Sequence, residues 1–193
     1  VHDSLIYRPF KVVEEYNKWQ NRSTDPRYAH LADMQEQPLL PGRLINPHGG
    51  IMIKPCGWLD IGSFISTLRQ QLQAHPGFRL LNEALDYRQL DLPGKVFHSS
   101  EGPVAFDQVV CCEGYRISEN PWFDYLRVIP NKGQLIEVEA PAWELPFVLS
   151  RKVYVIRTGP SRYVVGATYE KQFADHQPDP TGRDMLLGHL ADR

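Results

Sequence analysis

Cysteine is scarce in this sequence: three among 193 residues, too few for a disulfide framework and with one left over in any pairing. A reducing cytoplasm suits that usage. Long apolar runs are missing as well, since nothing approaches the ~20 residues that cross a bilayer. Val1-His2-Asp3-Ser4 has neither the basic nor the apolar stretch of a secretory leader. Neither sign of charge dominates: 21 Lys and Arg stand against 23 Asp and Glu, for a net charge of −2. The basic excess of a nucleic-acid binder is therefore absent. Repeats and low-complexity tracts are absent too. What remains is an ordinary globular composition, 42% hydrophobic and 23% charged, which argues against disorder. The length suits one domain or one and a half. The chain opens on Val and stops at Ala191-Asp192-Arg193, just after a helix-like stretch, so it reads as a piece of a longer protein.

Sixteen prolines and fourteen glycines punctuate the chain. Residues 12–19 suit a short amphipathic helix with Tyr16 and Trp19 on one face. Asp25-Pro26 reads as a helix start, because Asp caps and Pro is welcome at the first helical position. Residues 39–42 read as loop. The clearest helix follows Asp60, where Ile61, Phe64, Ile65, Leu68 and Leu72 lie on a ~3.6-residue period and His75-Pro76-Gly77 ends it. Ile51-Met52-Ile53 is a compact strand. Further strands are expected at 78–81, 85–90, 95–98, 106–112, 134–139, 152–156 and 163–169. The run Val109-Val110-Cys111-Cys112 suggests a strand buried on both faces, as in parallel sheets, whereas 135–139 partly alternates as half-exposed antiparallel strands do. A last helix is expected over 181–190, with Thr181 and Asp184 as a capping box. The fold class is α+β, a large, mostly antiparallel (mixed) sheet flanked by helices.

Few residues offer chemistry. The seven histidines are scattered, no CxxC occurs, and adjacent Cys111 and Cys112 point to opposite faces of a strand, so no metal site or thiol nucleophile is expected. GxSxG, Walker A and GxGxxG are all absent. Gly49-Gly50 precedes a strand and reads as a turn, not a phosphate cradle. Gly114 leaves two readings open. It either ends the 106–112 strand as a turn glycine, or lets backbone approach a ligand at a strand's carboxyl end. Tyr154 is similarly open: a core tyrosine bonded to backbone, or a hydroxyl offered to a substrate carboxylate. Arg157 suits a carboxylate by chemistry, but three residues along a strand it faces away from Tyr154.

Taken in order, several segments resemble the D-amino-acid-oxidase and glycine-oxidase superfamily of FAD-dependent amine oxidoreductases. Gly50-Ile51-Met52-Ile53-Lys54-Pro55-Cys56-Gly57-Trp58-Leu59-Asp60 is similar to the family's strand and entry to a long helix. Phe106-Asp107-Gln108-Val109-Val110-Cys111-Cys112-Glu113-Gly114 is similar to its strand ending at a glycine near the flavin nucleotide. Val128-Ile129-Pro130-Asn131-Lys132-Gly133-Gln134 resembles "P-x-[RK]-G-Q", Val153-Tyr154-Val155-Ile156-Arg157 its tyrosine strand, and Gly166-Ala167-Thr168-Tyr169-Glu170 "GaT-x-E". The prefix Leu5-Ile6-Tyr7-Arg8-Pro9-Phe10 resembles the strand leading into the substrate domain.

The resemblance implies FAD as cofactor and a small amine or amino acid as substrate, with a C–N bond oxidised by hydride transfer to flavin. It implies Tyr154 for substrate binding and Gly114 for cofactor binding, with no catalytic side chain needed if the amine enters neutral. Glu113 must then turn its carboxylate away from a diphosphate. It also implies a division into 1–77, the start of the substrate domain and the helix leading back; 78–118, strands of a partial FAD domain; and 119–193, the substrate-domain sheet and last helix. The family's N-terminal GxGxxG unit and C-terminal segment are not in these residues. Two other readings stay open, a non-catalytic ligand- or partner-binding module and a tRNA-modifying flavoenzyme on the same fold.

Overall fold

The computed structural model describes residues 1–191; Asp192 and Arg193, at the chain end noted above, lie outside the described residues. In chain order the elements are β1 (His2–Asp3), β2 (Ile6–Pro9), α1 (Val13–Ser23), β3 (Ala32–Gln35), β4 (Gly50–Ile53), β5 (Gly57–Trp58), α2 (Ile61–Ala74), β6 (Leu90–Asp91), β7 (Val96–Ser99), β8 (Gly102–Ala105), β9 (Leu135–Glu139), β10 (Val148–Ser150), β11 (Tyr154–Arg157), β12 (Arg162–Gly166) and α3 (Pro180–Ala191). They fall into two compact units, one of Val1–Ile61 with Asn131–Arg193 and one of Gly62–Pro130.

The first unit is built on a seven-stranded sheet in the order β3-β4-β2-β10-β11-β12-β9. Only β10 against β2 is parallel among its pairings, so the sheet is mixed and mostly antiparallel, as expected. Alternation decides its faces. Leu149 pairs with both Tyr7 and Val155, and Val155 with Val165, so these share one face. With Tyr163, Phe147, Leu44 and Leu190 of α3 they form the core. A buried polar contact anchors it: Asn46 Nδ2 donates to the Tyr7 hydroxyl at 2.8 Å and to the Leu39 carbonyl at 3.1 Å. Burial lifts the Tyr7 phenol above its ordinary pKa, which the Asn46 hydrogen bond partly offsets.

Helix α1 runs a turn past the expected end, because no breaker intervenes before Asp25-Pro26 and the Ser23 and Thr24 hydroxyls bond the Gln20 and Asn21 carbonyls. Asp25-Pro26 starts only a helical turn, with Tyr28 and Ala29 amides on the Asp25 carbonyl, before β3 takes over. The cap of α3 is also displaced from expectation. Asp179, not Thr181, accepts the Gly182 amide at 2.9 Å, with Pro180 as the first helical residue.

The second unit departs most from the sequence reading. Its sheet is the short meander β6-β7-β8. Residues 78–81 form no ladder, and half of 85–90 is a 3-10 turn, Tyr87–Gln89, because the Asp86 side chain accepts the Arg88 amide at 3.0 Å. The expected buried strand at 106–112 does not form either. The β8 ladder stops at Ala105, and Val110 is 80% exposed. A doubly buried strand needs partners on both edges, and none of the described residues supplies them. Helix α2 forms where expected, yet its stripe of Ile61, Phe64, Ile65, Leu68 and Leu72 remains exposed.

Candidate functional site

The face of the seven-stranded sheet opposite the core carries Tyr154. Its strand neighbours there are Ser150 on one side and Gly166, then Leu135, on the other. Val155, one residue on, is buried, whereas Tyr154 is half-buried and Leu135 exposed, so the face is open around Tyr154. A side chain at Gly166 would fit badly: its Cβ would stand 2.2 Å from Leu135 Cδ2 and 3.1 Å from the Tyr154 hydroxyl. Glycine therefore lets the Tyr154 ring lie across β12. The Tyr154 hydroxyl has no hydrogen-bond partner among the described residues. That separates it from Tyr7, bonded to Asn46, and from Tyr163, whose hydroxyl donates to the Trp143 carbonyl. Arg157 lies on the opposite face and closes the β11–β12 turn, donating to the Gly159 carbonyl at 3.1 Å and the Pro160 carbonyl at 2.9 Å. It is a turn residue.

Gly114 belongs to the second unit. It opens a 3-10 stretch, Gly114–Glu119, at φ +60°, a left-handed conformation that favours glycine, and space over it is open. Beside it, the Glu113 side chain is held by hydrogen bonds. Its carboxylate accepts from Asn120 Nδ2 at 3.2 and 3.1 Å and from the Tyr87 hydroxyl. That hydrogen bond pushes the Tyr87 phenol up to about 12. Asn120, fully buried, also receives the Trp122 amide on Oδ1 at 2.9 Å and lies 3.6 Å from Cys111 Sγ. The exit from 106–112 thus presents open glycine backbone beside a carboxylate fixed by Asn120 and Tyr87.

A third cluster escaped the sequence reading as a structural whole. Gln134 Nε2 donates to Glu170 Oε1 at 2.9 Å and to Asp179 Oδ2 at 2.7 Å, and its Oε1 accepts the Asp179 amide at 2.8 Å. Lys132 Nζ reaches the same Asp179 oxygen at 2.9 Å, and the Gln134 amide donates to Thr168 Oγ1 at 2.9 Å. The Lys132 side chain is only 10% exposed but that of Asp179 is 35% exposed, so the ion pair is covered on its lysine side and open to solvent on the other. Lys132 first, then the Gly182 amide and Gln134, hold the Asp179 carboxyl down to about 2, and Asp179 in turn raises the Lys132 ammonium. The "K-G-Q" and "G-A-T-x-E" segments are therefore the two halves of one polar network that fixes α3 to β9. His, Cys, Asp and Glu form no metal-holding group among the described residues, and Cys56, Cys111 and Cys112 are free thiols.

A family model described as FAD dependent oxidoreductase, DAO, matches residues 7–193. The chain belongs to that family. Among solved structures it is similar to glycine oxidase from Geobacillus kaustophilus (TM-score 0.79, 21% identity, covering 97% of this chain and 53% of that one). It is also similar to glycine oxidase from Bacillus cereus ATCC 14579 (0.68, 16%, 96% and 54%) and to iminodiacetate oxidase from Chelativorans sp. BNC1 (0.62, 20%, 97% and 54%). At these identities the likeness is one of fold. The chain spans about half the length of each. Among the described residues, no helix is long and apolar enough to cross a membrane.

Proposed function

We propose that this chain is the substrate side, with part of the nucleotide side, of an FAD-dependent oxidoreductase that oxidises the C–N bond of an amino acid or related small amine. The observation that carries the substrate half is Tyr154, a half-buried residue whose solvent-open hydroxyl bonds nothing else among the described residues. The hydroxyl is open to solvent rather than buried, so it is free to donate to an arriving substrate carboxylate. Membership of the DAO family supports the flavin half. The bound flavin would supply the redox chemistry. The chain's own part is positioning: Tyr154 orients the carboxylate, Gly166 and Leu135 shape the surface beside it, and the Gly114 backbone admits the cofactor's nucleotide. On this reading the seven-stranded unit is substrate domain and residues 78–118 belong to the FAD domain. Three free thiols support a reducing, cytoplasmic setting.

The test is direct. The purified full-length protein is scanned for bound flavin before and after adding FAD. Peroxide release and dye reduction are then followed with glycine, sarcosine and D-amino acids. Flavin absorbance and turnover of one of these amines are expected. A colourless protein that ignores FAD and all of these substrates would overturn the proposal and favour a binding module.

A further inference from the structure

A cleft of about 520 Å³ opens between the C-terminal end of α1 and the β3–β4 edge of the sheet, within the first unit. That volume lies in the range of small-molecule sites. Its floor is apolar, made by Leu31, Ala32, Ile51 and Ile53. Trp19 and Tyr28 stand on its wall, and Arg22 holds its guanidinium over the Trp19 ring at 5.4 Å from the centroid. Arg22 has no carboxylate partner among the described residues. The other arginine here, Arg27, is fully engaged. It clasps Asp25 through Nε at 3.1 and 3.2 Å and Nη2 at 2.7 Å, while its backbone amide donates to Asp25 Oδ1 at 2.9 Å. With Arg27 and Asp25 cancelling, the cleft carries one net positive charge, on Arg22.

We propose that this cleft binds a carboxylate with an aromatic or branched apolar body, the head on Arg22 and the body on Leu31, Ala32 and Ile53. A guanidinium stacked on an aromatic ring keeps its in-plane N–H donors free for a two-pronged contact with a carboxylate. The aliphatic floor favours a hydrocarbon over a hydrated ligand such as free phosphate. Free amino acids are disfavoured, because the one carboxylate present, Asp25, is already taken by Arg27 and the net charge repels an ammonium. The site is separate from Tyr154. Ile51 shares Tyr154's face, since its partner Arg8 points opposite to Tyr7. Between β4 and β11, however, lie three strand spacings, roughly 14 Å. The inference does not depend on the flavin reading.

The test titrates the purified chain with 3-phenylpropanoate, its neutral amide and phenylalanine, by calorimetry and by tryptophan fluorescence. Saturable binding of the carboxylate is expected, with the amide and phenylalanine at least about tenfold weaker. Arg22→Gln should weaken it about tenfold, Arg22→Lys less, and Trp19→Phe should remove the fluorescence response. Arg22 is exposed, so these variants keep the fold. Tyr154→Phe should leave the affinity unchanged. Equal affinity for acid and amide, an unaffected Arg22→Gln, or binding lost with Tyr154→Phe would each overturn the proposal, as would no saturation by about 10 mM.

Discussion

Three tyrosines of one sheet differ in burial and in what their hydroxyls touch, and conversion of each to phenylalanine removes the hydroxyl alone. Tyr7 is fully buried and accepts from Asn46 Nδ2 at 2.8 Å, and Asn46 is itself buried. Tyr7→Phe strands one amide hydrogen in the interior, which costs about 1–3 kcal/mol; the Leu39 carbonyl still serves the other. Tyr163→Phe removes a donor from the Trp143 carbonyl, which leaves an acceptor with a second lone pair and costs about 1 kcal/mol. Tyr154→Phe removes a hydroxyl with no partner, so the fold should lose less than about 0.5 kcal/mol.

Urea unfolding of the three variants at neutral pH reads these values directly, provided the m-values agree. Under the proposed function the ranking inverts for turnover by the full-length protein. Tyr154→Phe should raise KM for the amino-acid substrate about tenfold, the equivalent of one hydrogen bond worth ~1–1.5 kcal/mol, while the other two leave KM nearly unchanged. If Tyr154→Phe destabilises as much as Tyr7→Phe, the hydroxyl has a structural partner and the substrate argument fails. An unaltered KM removes Tyr154 from the site just as decisively.

Other perturbations test the surroundings. Gly166→Ala should cost about 1 kcal/mol by overpacking, and Leu135→Ala should restore most of it, because the inserted methyl meets Leu135 first. Asp179 has a folded pKa of about 2 against an ordinary 3.8, so its contribution is complete above pH 4 and is lost as the pH falls through that interval. Asp179→Asn should therefore flatten the acid limb of a stability–pH profile between about pH 4 and 2, and an unchanged limb would refute the network's role. Leu186→Ala, in the fully buried face of α3, should cost about 2–5 kcal/mol, whereas Ile65→Gln in the exposed stripe of α2 should change stability by less than about 0.5.

Elements that bury a periodic face against neighbours in the same unit were legible in the sequence: β4, β9, β12 and α3 stand close to where alternation and turn signals put them. Strands made by pairing alone were not. Ala32-Asp33-Met34-Gln35 has little strand propensity and is a strand because β4 offers it an edge. The dipeptide Asp-Pro occurs at both 25–26 and 179–180 with different results. After Pro180, Leu186 and Leu190 give a helix something to bury, whereas after Pro26 the chain must enter β3 within a few residues. Of the candidate site, Tyr154 and Gly114 were readable as residues. The free hydroxyl, the tethered Glu113 and the Lys132–Gln134–Asp179 network were not, because partners such as Lys132 and Asp179, 47 residues apart, leave no local spacing to find.

The amphipathic pattern of α2 leads to a last prediction. All the fully buried apolar side chains among the described residues, from Tyr7 to Leu190, belong to the first unit. The second unit buries Asn120 but no large apolar residue, and α2 keeps Phe64, Ile65 and Leu68 in solvent. Helices of this length draw most of their stability from packing an apolar face. Local opening of α2 should then cost far less than opening β11 and β12, whose ladders enclose Val155 and Val165. Amide hydrogen exchange on this chain should show α2 protected at least about tenfold less than β12, a gap that corresponds to 1.4 kcal/mol or more. Equal protection in α2 and β12 would mean that the stripe is covered in solution and that the second unit has a core of its own.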